Sequence, residues 1–192
     1  MGPLANASLS KEISFHEKPP PMIIFQYFSD DHADDLTGLA FSQAFIRKGG
    51  DIISELDYLR LPLDARKKGI AKKLLNLNLQ QWEQMGVAKV KLEAALSNGG
   101  LVWAKAFFSA TDRKDVKAIL DKAGRELPPD QFDRVKRVFD NYYSRFPDGK
   151  SFPMVKWSDL PGMDQVLRET YWKAELDLTN SDIISKFKNY VA

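Results

Sequence analysis

Leu59-Arg60-Leu61-Pro62-Leu63-Asp64-Ala65-Arg66-Lys67-Lys68-Gly69-Ile70-Ala71-Lys72-Lys73-Leu74-Leu75 decides how this chain is read. An extended segment ends at Pro62. A basic turn with one glycine follows from Arg66 to Ala71, and a long amphipathic helix starts inside that turn. A helix start offers backbone N–H groups without intrahelical partners and the positive end of the macrodipole, which together suit a phosphate. Small residues at Gly69 and Ala71 let a pyrophosphate come close to the backbone, and Arg66, Lys67 and Lys68 add charge there. The spacing is neither the Gly-Lys-Ser/Thr phosphate loop nor the three-glycine dinucleotide turn.

The flanks give the turn its context. Ile52 to Leu61 reads as a strand entering it. Beyond it, Ile70, Ala71, Leu74, Leu75, Leu77, Leu79 and Trp82 recur at steps of three and four, which predicts a helix with a broad buried stripe. Gly86 ends that helix as a left-handed cap. Ala88 to Ala94 then alternates apolar and charged residues, as a half-buried strand does. Ser97-Asn98-Gly99-Gly100 reads as a second small-residue turn, opening a helix from Leu101 to Phe108.

Arg66, Gly69 and Ala71 fill the three fixed positions of Arg/Gln-x-x-Gly-x-Gly/Ala, so the turn resembles the signature of the GNAT superfamily of acyl-coenzyme A N-acyltransferases. The order of strand, turn, helix, strand, turn and helix over about Thr37 to Ala110 matches it too. The resemblance implies an α+β fold, a mixed and mostly antiparallel central sheet flanked by helices. It implies acetyl-coenzyme A as cofactor and direct acyl transfer to an amine, borne by a small molecule or a protein. Arg66, Lys67, Lys68, Gly69, Ile70 and Ala71 would hold the pyrophosphate, and the main chain of Leu59 and Leu61 the pantetheine arm. Asn98 is a further candidate for that arm. Glu55 and Asp57, which strand alternation puts on one face, are the candidate bases. Glu93 is a weaker third.

The likeness departs from the family ahead of Met22, where a short piece that reads extended around Ile13 and Phe15 stands in place of the family's usual two helices. It departs again in the second helix. Trp103 stands where the family usually has a tyrosine acid, and Phe107 where it has a glycine. An indole N–H donates a hydrogen bond but delivers no proton in this range. Similar Gly-Gly-x-x-Trp-Ala segments occur in acyltransferase-like domains of phage structural or toxin-type proteins. A catalytically degenerate module that keeps the fold, for cofactor binding or protein interaction, is therefore the rival reading. A plain α+β binding protein whose turn matches by chance is the third.

The 192 residues, 44% hydrophobic and 11% aromatic, suit one substantial folded core. Residues 1–21 read as a flexible N-terminal segment with a stiff Lys18-Pro19-Pro20-Pro21, and 22–192 as a single domain. Within it, 112–147 reads as a helical insertion, with helices starting at Asp112 and Pro128-Pro129. Met22 to Phe28 and Thr37 to Arg47 read as strands. The first ends in the acidic turn Ser29-Asp30-Asp31-His32, and the second puts Leu39, Phe41, Gln43 and Phe45 on one face. Lys48-Gly49-Gly50-Asp51 reads as a hairpin turn. Phe152 to Trp157 reads as a return to the sheet, and two helices, Pro161 to Trp172 and Ser181 to Val191, close the chain.

The net charge of +2 makes no case for nucleic acid or an anionic membrane. No apolar run approaches the ~20 residues that cross a bilayer. No secretory pattern opens the chain. Zero cysteines exclude disulfides and thiolate chemistry. His16 and His32 have no metal-ligand spacing, so no metal is expected. These features fit a cytoplasmic protein, or a secreted effector that lacks a leader, with a homodimer among its assemblies.

Overall fold

The computed structural model describes residues 8–29, 38–147, 149 and 151–192. The acidic turn at Asp30, Asp31 and His32, and the expected strand start at Thr37, lie outside the described residues. The chain is α+β, with eight strands in mixed, mostly antiparallel pairing and seven helices among the described residues. It divides into two compact units where the sequence reading has one domain from residue 22 onward. One unit is Met1–Lys91 with Asp177–Ala192, the other Leu92–Leu176.

In the first unit, β1 (Leu9–His16), β2 (Met22–Ser29), β3 (Ala40–Lys48) and β4 (Asp51–Arg60) form an antiparallel meander, with β5 (Val87–Ala94) next to β4. The stretch 9–16 was expected within a flexible segment. It is a strand instead, because it pairs residue for residue with β2, from Leu9 opposite Ser29 to His16 opposite Met22. Gly49 and Gly50 both take positive φ, 61° and 96°, the geometry of a two-residue hairpin between Lys48 and Asp51. Leu39, Phe41, Gln43 and Phe45 are all buried, as their shared face predicts. Gln43 is tolerated there because its Nε2 donates to Ser54 Oγ at 2.7 Å.

Helix α1 (Ile70–Met85) begins after Gly69 and stops at Gly86, both left-handed. It buries Leu75, Asn78, Leu79 and Trp82. Leu77, assigned to the buried stripe from sequence, is 58% exposed. An apolar run this dense carries no contrast to say which leucine faces outward. The last helix of the chain, Ser181–Val191, spans the predicted residues and packs on α1. Trp82 lies 6.5 Å from Phe187, and the Lys72 Nζ sits 4.4 Å above the Tyr190 ring. Asn180 caps this helix by accepting from the Asp182 and Ile183 amides.

The second unit holds α2 (Leu96–Lys105), β6 (Ser109–Ala110), α3 (Arg113–Glu126), α4 (Pro129–Arg145), β7 (Phe152–Pro153), α5 (Val155–Ser158), α6 (Met163–Val166) and β8 (Trp172–Asp177). The helix of Ser181–Val191 is α7. Strand β6 pairs antiparallel with both β7 and β8. Asp112 caps α3 through the Lys114 amide, and Pro129 opens α4. Both helices fall between β6 and β7 in chain order, over the stretch 112–147. The end of α4 joins the core: Tyr142 and Tyr143 pack on Phe152, which lies 4.6 Å from Trp157. Gly124 lies inside α3 under the Phe132 ring. Phe152 to Trp157 returns to the sheet only at Phe152–Pro153 before turning into α5. The helix expected over Pro161 to Trp172 shrinks to α6, because Trp172 opens β8 with alternate residues buried.

Candidate functional site

The segment that decides the sequence reading lies wholly in the first unit. Along β3 and β4 the register slips by one residue: Ser42 faces Tyr58, and Gln43 faces Leu56. Asp57 is the extra residue of a β-bulge, a feature that re-aims a side chain and bends the strand carrying it. Ser42 Oγ donates to Asp57 Oδ2 at 3.2 Å. Ser42 shares its face of β3 with Ala44, and Ala44 lies opposite Glu55. The two carboxylates therefore share a face across the bulge. Glu55 is half-buried. Asp57 itself is exposed; the partial burial of its carboxyl pushes it above the ordinary aspartate value, and the Ser42 hydrogen bond offsets part of that rise.

Leu59 follows the bulge and pairs with Phe41, while Leu61 lies just past the strand end. Arg66 Nε donates to the Leu61 carbonyl at 2.9 Å, tying the turn back to the strand. Between them a short 3-10 turn, Leu63–Ala65, buries Ala65. The chain then takes positive φ at Lys67 (59°) and again at Gly69 (75°).

Gly69 supplies no side-chain cap, and the first turn of α1 contains no acidic residue. The first amide to find a helical acceptor is that of Lys73, on the Gly69 carbonyl at 3.0 Å. The amides of Ile70, Ala71 and Lys72 precede it. By contrast, α3 and α7 carry side-chain caps and Asp115 and Asp182 in their first turns. Arg66, Lys67, Lys68 and Gly69 are exposed, and Ile70 and Ala71 half-buried. Among the described residues, a Cβ built on Gly69 meets nothing within 4 Å. The turn is thus open to solvent on its glycine side, and its residues fit a diphosphate.

The remaining candidates lie in the second unit. Asn98 is exposed on the first turn of α2, its side-chain oxygen accepting from Arg168. Helix α2 starts at Leu96, so Gly99 and Gly100 stand inside it rather than in a turn ahead of it. Trp103 is half-buried, edge-on to Phe108 with ring centroids 5.1 Å apart. Phe107, at the family's usual glycine position, has φ 64°. Its amide bonds to the Ala104 carbonyl and that of Phe108 to the Trp103 carbonyl, a Schellman end in which glycine is the usual occupant. Exposed Glu93 accepts from the Tyr171 hydroxyl and pushes the tyrosine's pKa up. Ser42 escaped the sequence reading. Its tie to Asp57 depends on a bulge that no local pattern announces.

Compared with family models, with curated proteins and with solved structures, the chain finds no match in any of the three. Among the described residues no helix is long and apolar enough to cross a membrane, and no cluster of histidine, aspartate and glutamate could hold a metal ion.

Proposed function

We propose that this chain is a GNAT-like acyltransferase, moving an acetyl or other acyl group from acyl-coenzyme A to an amine on a small molecule or protein. The observation that carries this reading is the open, uncapped start of α1, with Gly69 left-handed and three basic residues before it. The amides of Ile70, Ala71 and Lys72 would meet the pyrophosphate, with Arg66, Lys67 and Lys68 neutralising its charge. The main chain of Leu59 and Leu61 would align the arm leading from it. Acetyl-coenzyme A supplies the acyl group already activated as a thioester. Asp57 takes the proton from the attacking amine, directly or through one water, and its raised pKa brings it closer to that task than an ordinary aspartate. Glu55 on the same face is the alternative base. In this reading the helices of 112–147 are an insertion into the family fold.

One observation favours the degenerate module. Trp103 packs edge-on against Phe108 and offers no acidic proton to a departing thiolate. Calorimetry with acetyl-coenzyme A and detection of free thiol over a panel of amines separate the outcomes. Binding with thiol release supports the enzyme, binding without it the module, and the absence of binding overturns both.

Asp57→Asn tests the base. Burial raises the folded-state pKa above the unfolded value, so Asp57 stabilises the fold fully only below the unfolded pKa. That contribution is lost as pH rises through the folded pKa. Near neutral pH the ionised carboxylate is therefore a cost, which the amide removes while still accepting from Ser42. Turnover should fall roughly 100-fold, in the range of general-base removal. Thermal unfolding near neutral pH should move up, by less at about pH 3. Unchanged turnover in Asp57→Asn, with loss in Glu55→Gln, would transfer the role to Glu55.

A further inference from the structure

We infer that the outer edge of β1 pairs with β1 of a second copy of this chain, antiparallel, with Ser14 facing Ser14 on the two-fold axis. Strand β1 ends the strand order, so among the described residues it has a neighbour only in β2. It runs eight residues with no proline and no register slip against β2. Of the usual protections of an edge, β1 lacks short length, proline and a bulge, and keeps only the charges of Lys11 and Glu12. Its apolar side chains are also left in water. Phe15 is 71% exposed and Ile13 45%, and Ile23, opposite Phe15 on β2, is 36% exposed. The Lys11 ammonium lies on the same face, 5.7 Å from the Phe25 ring and 5.5 Å from that of Tyr27.

The occupant follows from the strand's own sequence. A two-fold antiparallel pair requires one residue to face itself, so few registers exist. Centring on Lys11 or Glu12 sets like charges face to face, which destabilises a sheet. Centring on Ile13 puts Lys11 against Phe15 and Glu12 against Ser14, leaving neither charge an opposite. Centring on Phe15 sets Ile13 against Glu17. Centring on Ser14 matches the three pairs on each side of the axis: Ile13 faces Phe15 twice, Glu12 faces His16 twice, and Lys11 faces Glu17, one residue beyond β1. A carboxylate lies opposite an imidazole on one face and opposite an ammonium on the other, and the apolar pair shares the face of Lys11. The two exposed apolar patches then merge across the axis, which removes the edge altogether.

Sedimentation velocity of the full chain, from low to high micromolar, should show a reversible monomer–dimer equilibrium. Glu12→Lys and His16→Glu should each weaken the dimer at least about tenfold, since each mismatch occurs twice by symmetry. The double reversal should restore it. All these side chains are exposed, so circular dichroism should stay unchanged. As an independent check, Ser14→Cys in this cysteine-free chain should cross-link two copies on mild oxidation, whereas Ser10→Cys should not. A chain that stays monomeric, a dimer weakened by neither reversal, or cross-linking through residue 10 in preference to residue 14 would each overturn the inference.

Discussion

Gly69→Glu should abolish acetyl-coenzyme A binding, lowering affinity by about 100-fold or more, while leaving a folded chain. Both halves rest on the same glycine. Its φ of 75° imposes strain on any side chain, on the order of 1–2 kcal/mol. Among the described residues a Cβ there meets no atom within 4 Å, so no described packing is lost. A carboxylate at this point sits at the uncapped helix start, where the macrodipole itself favours negative charge. It would therefore occupy the anion position and repel the diphosphate together. Gly69→Ala separates strain from charge: it carries the same φ penalty and should keep much of the affinity. Calorimetry beside thermal unfolding checks both. Undiminished affinity in Gly69→Glu would place the diphosphate elsewhere, and Asp57 would lose its claim as base with it.

What could be read from the sequence is what local chemistry fixes. Gly86 ends α1 because the residue after a helix favours the left-handed conformation, and Gly49-Gly50 fixes a hairpin for the same reason. The starts of α3 and α4 were legible because Asp112 is a capping residue and Pro129 suits a first helical position. What could not be read depends on neighbours remote in sequence. Strand β1 has the alternation of a strand, but only β2 shows that it is paired. Trp172 to Asp177 has a period of two that was hidden by an equally acceptable helical spacing. The site divides in the same way. The turn was legible as a run of six residues, whereas the bulge at Asp57 required β3 alongside β4. The second small-residue turn was misread because Gly-Gly usually ends structure. At Gly100 it serves another purpose, which a substitution exposes.

Gly100→Ala should cost about 3 kcal/mol or more, through overpacking rather than strain. Gly100 is helical, within α2, so alanine's backbone preference favours it; any loss must come from space. A Cβ on Gly100 would lie 2.3 Å from the Leu167 carbonyl oxygen, 2.3 Å from Thr170 Oγ1 and 3.3 Å from the Trp172 indole nitrogen. The first is backbone and cannot rotate away. The second donates to that same carbonyl at 2.7 Å, so moving it breaks a buried hydrogen bond. The third belongs to a fully buried tryptophan at the start of β8. For a chain of this size, 3 kcal/mol lowers the unfolding midpoint by roughly 6–12 °C. Thermal melts of Gly100→Ala beside Gly69→Ala measure the contrast directly. The first should drop by that amount and the second by only a few degrees, since one glycine is there for close approach and the other for its backbone angle. An equal drop in both would mean that α2 can slide away from the 167–172 segment. The glycine at 100 would then answer to something other than packing.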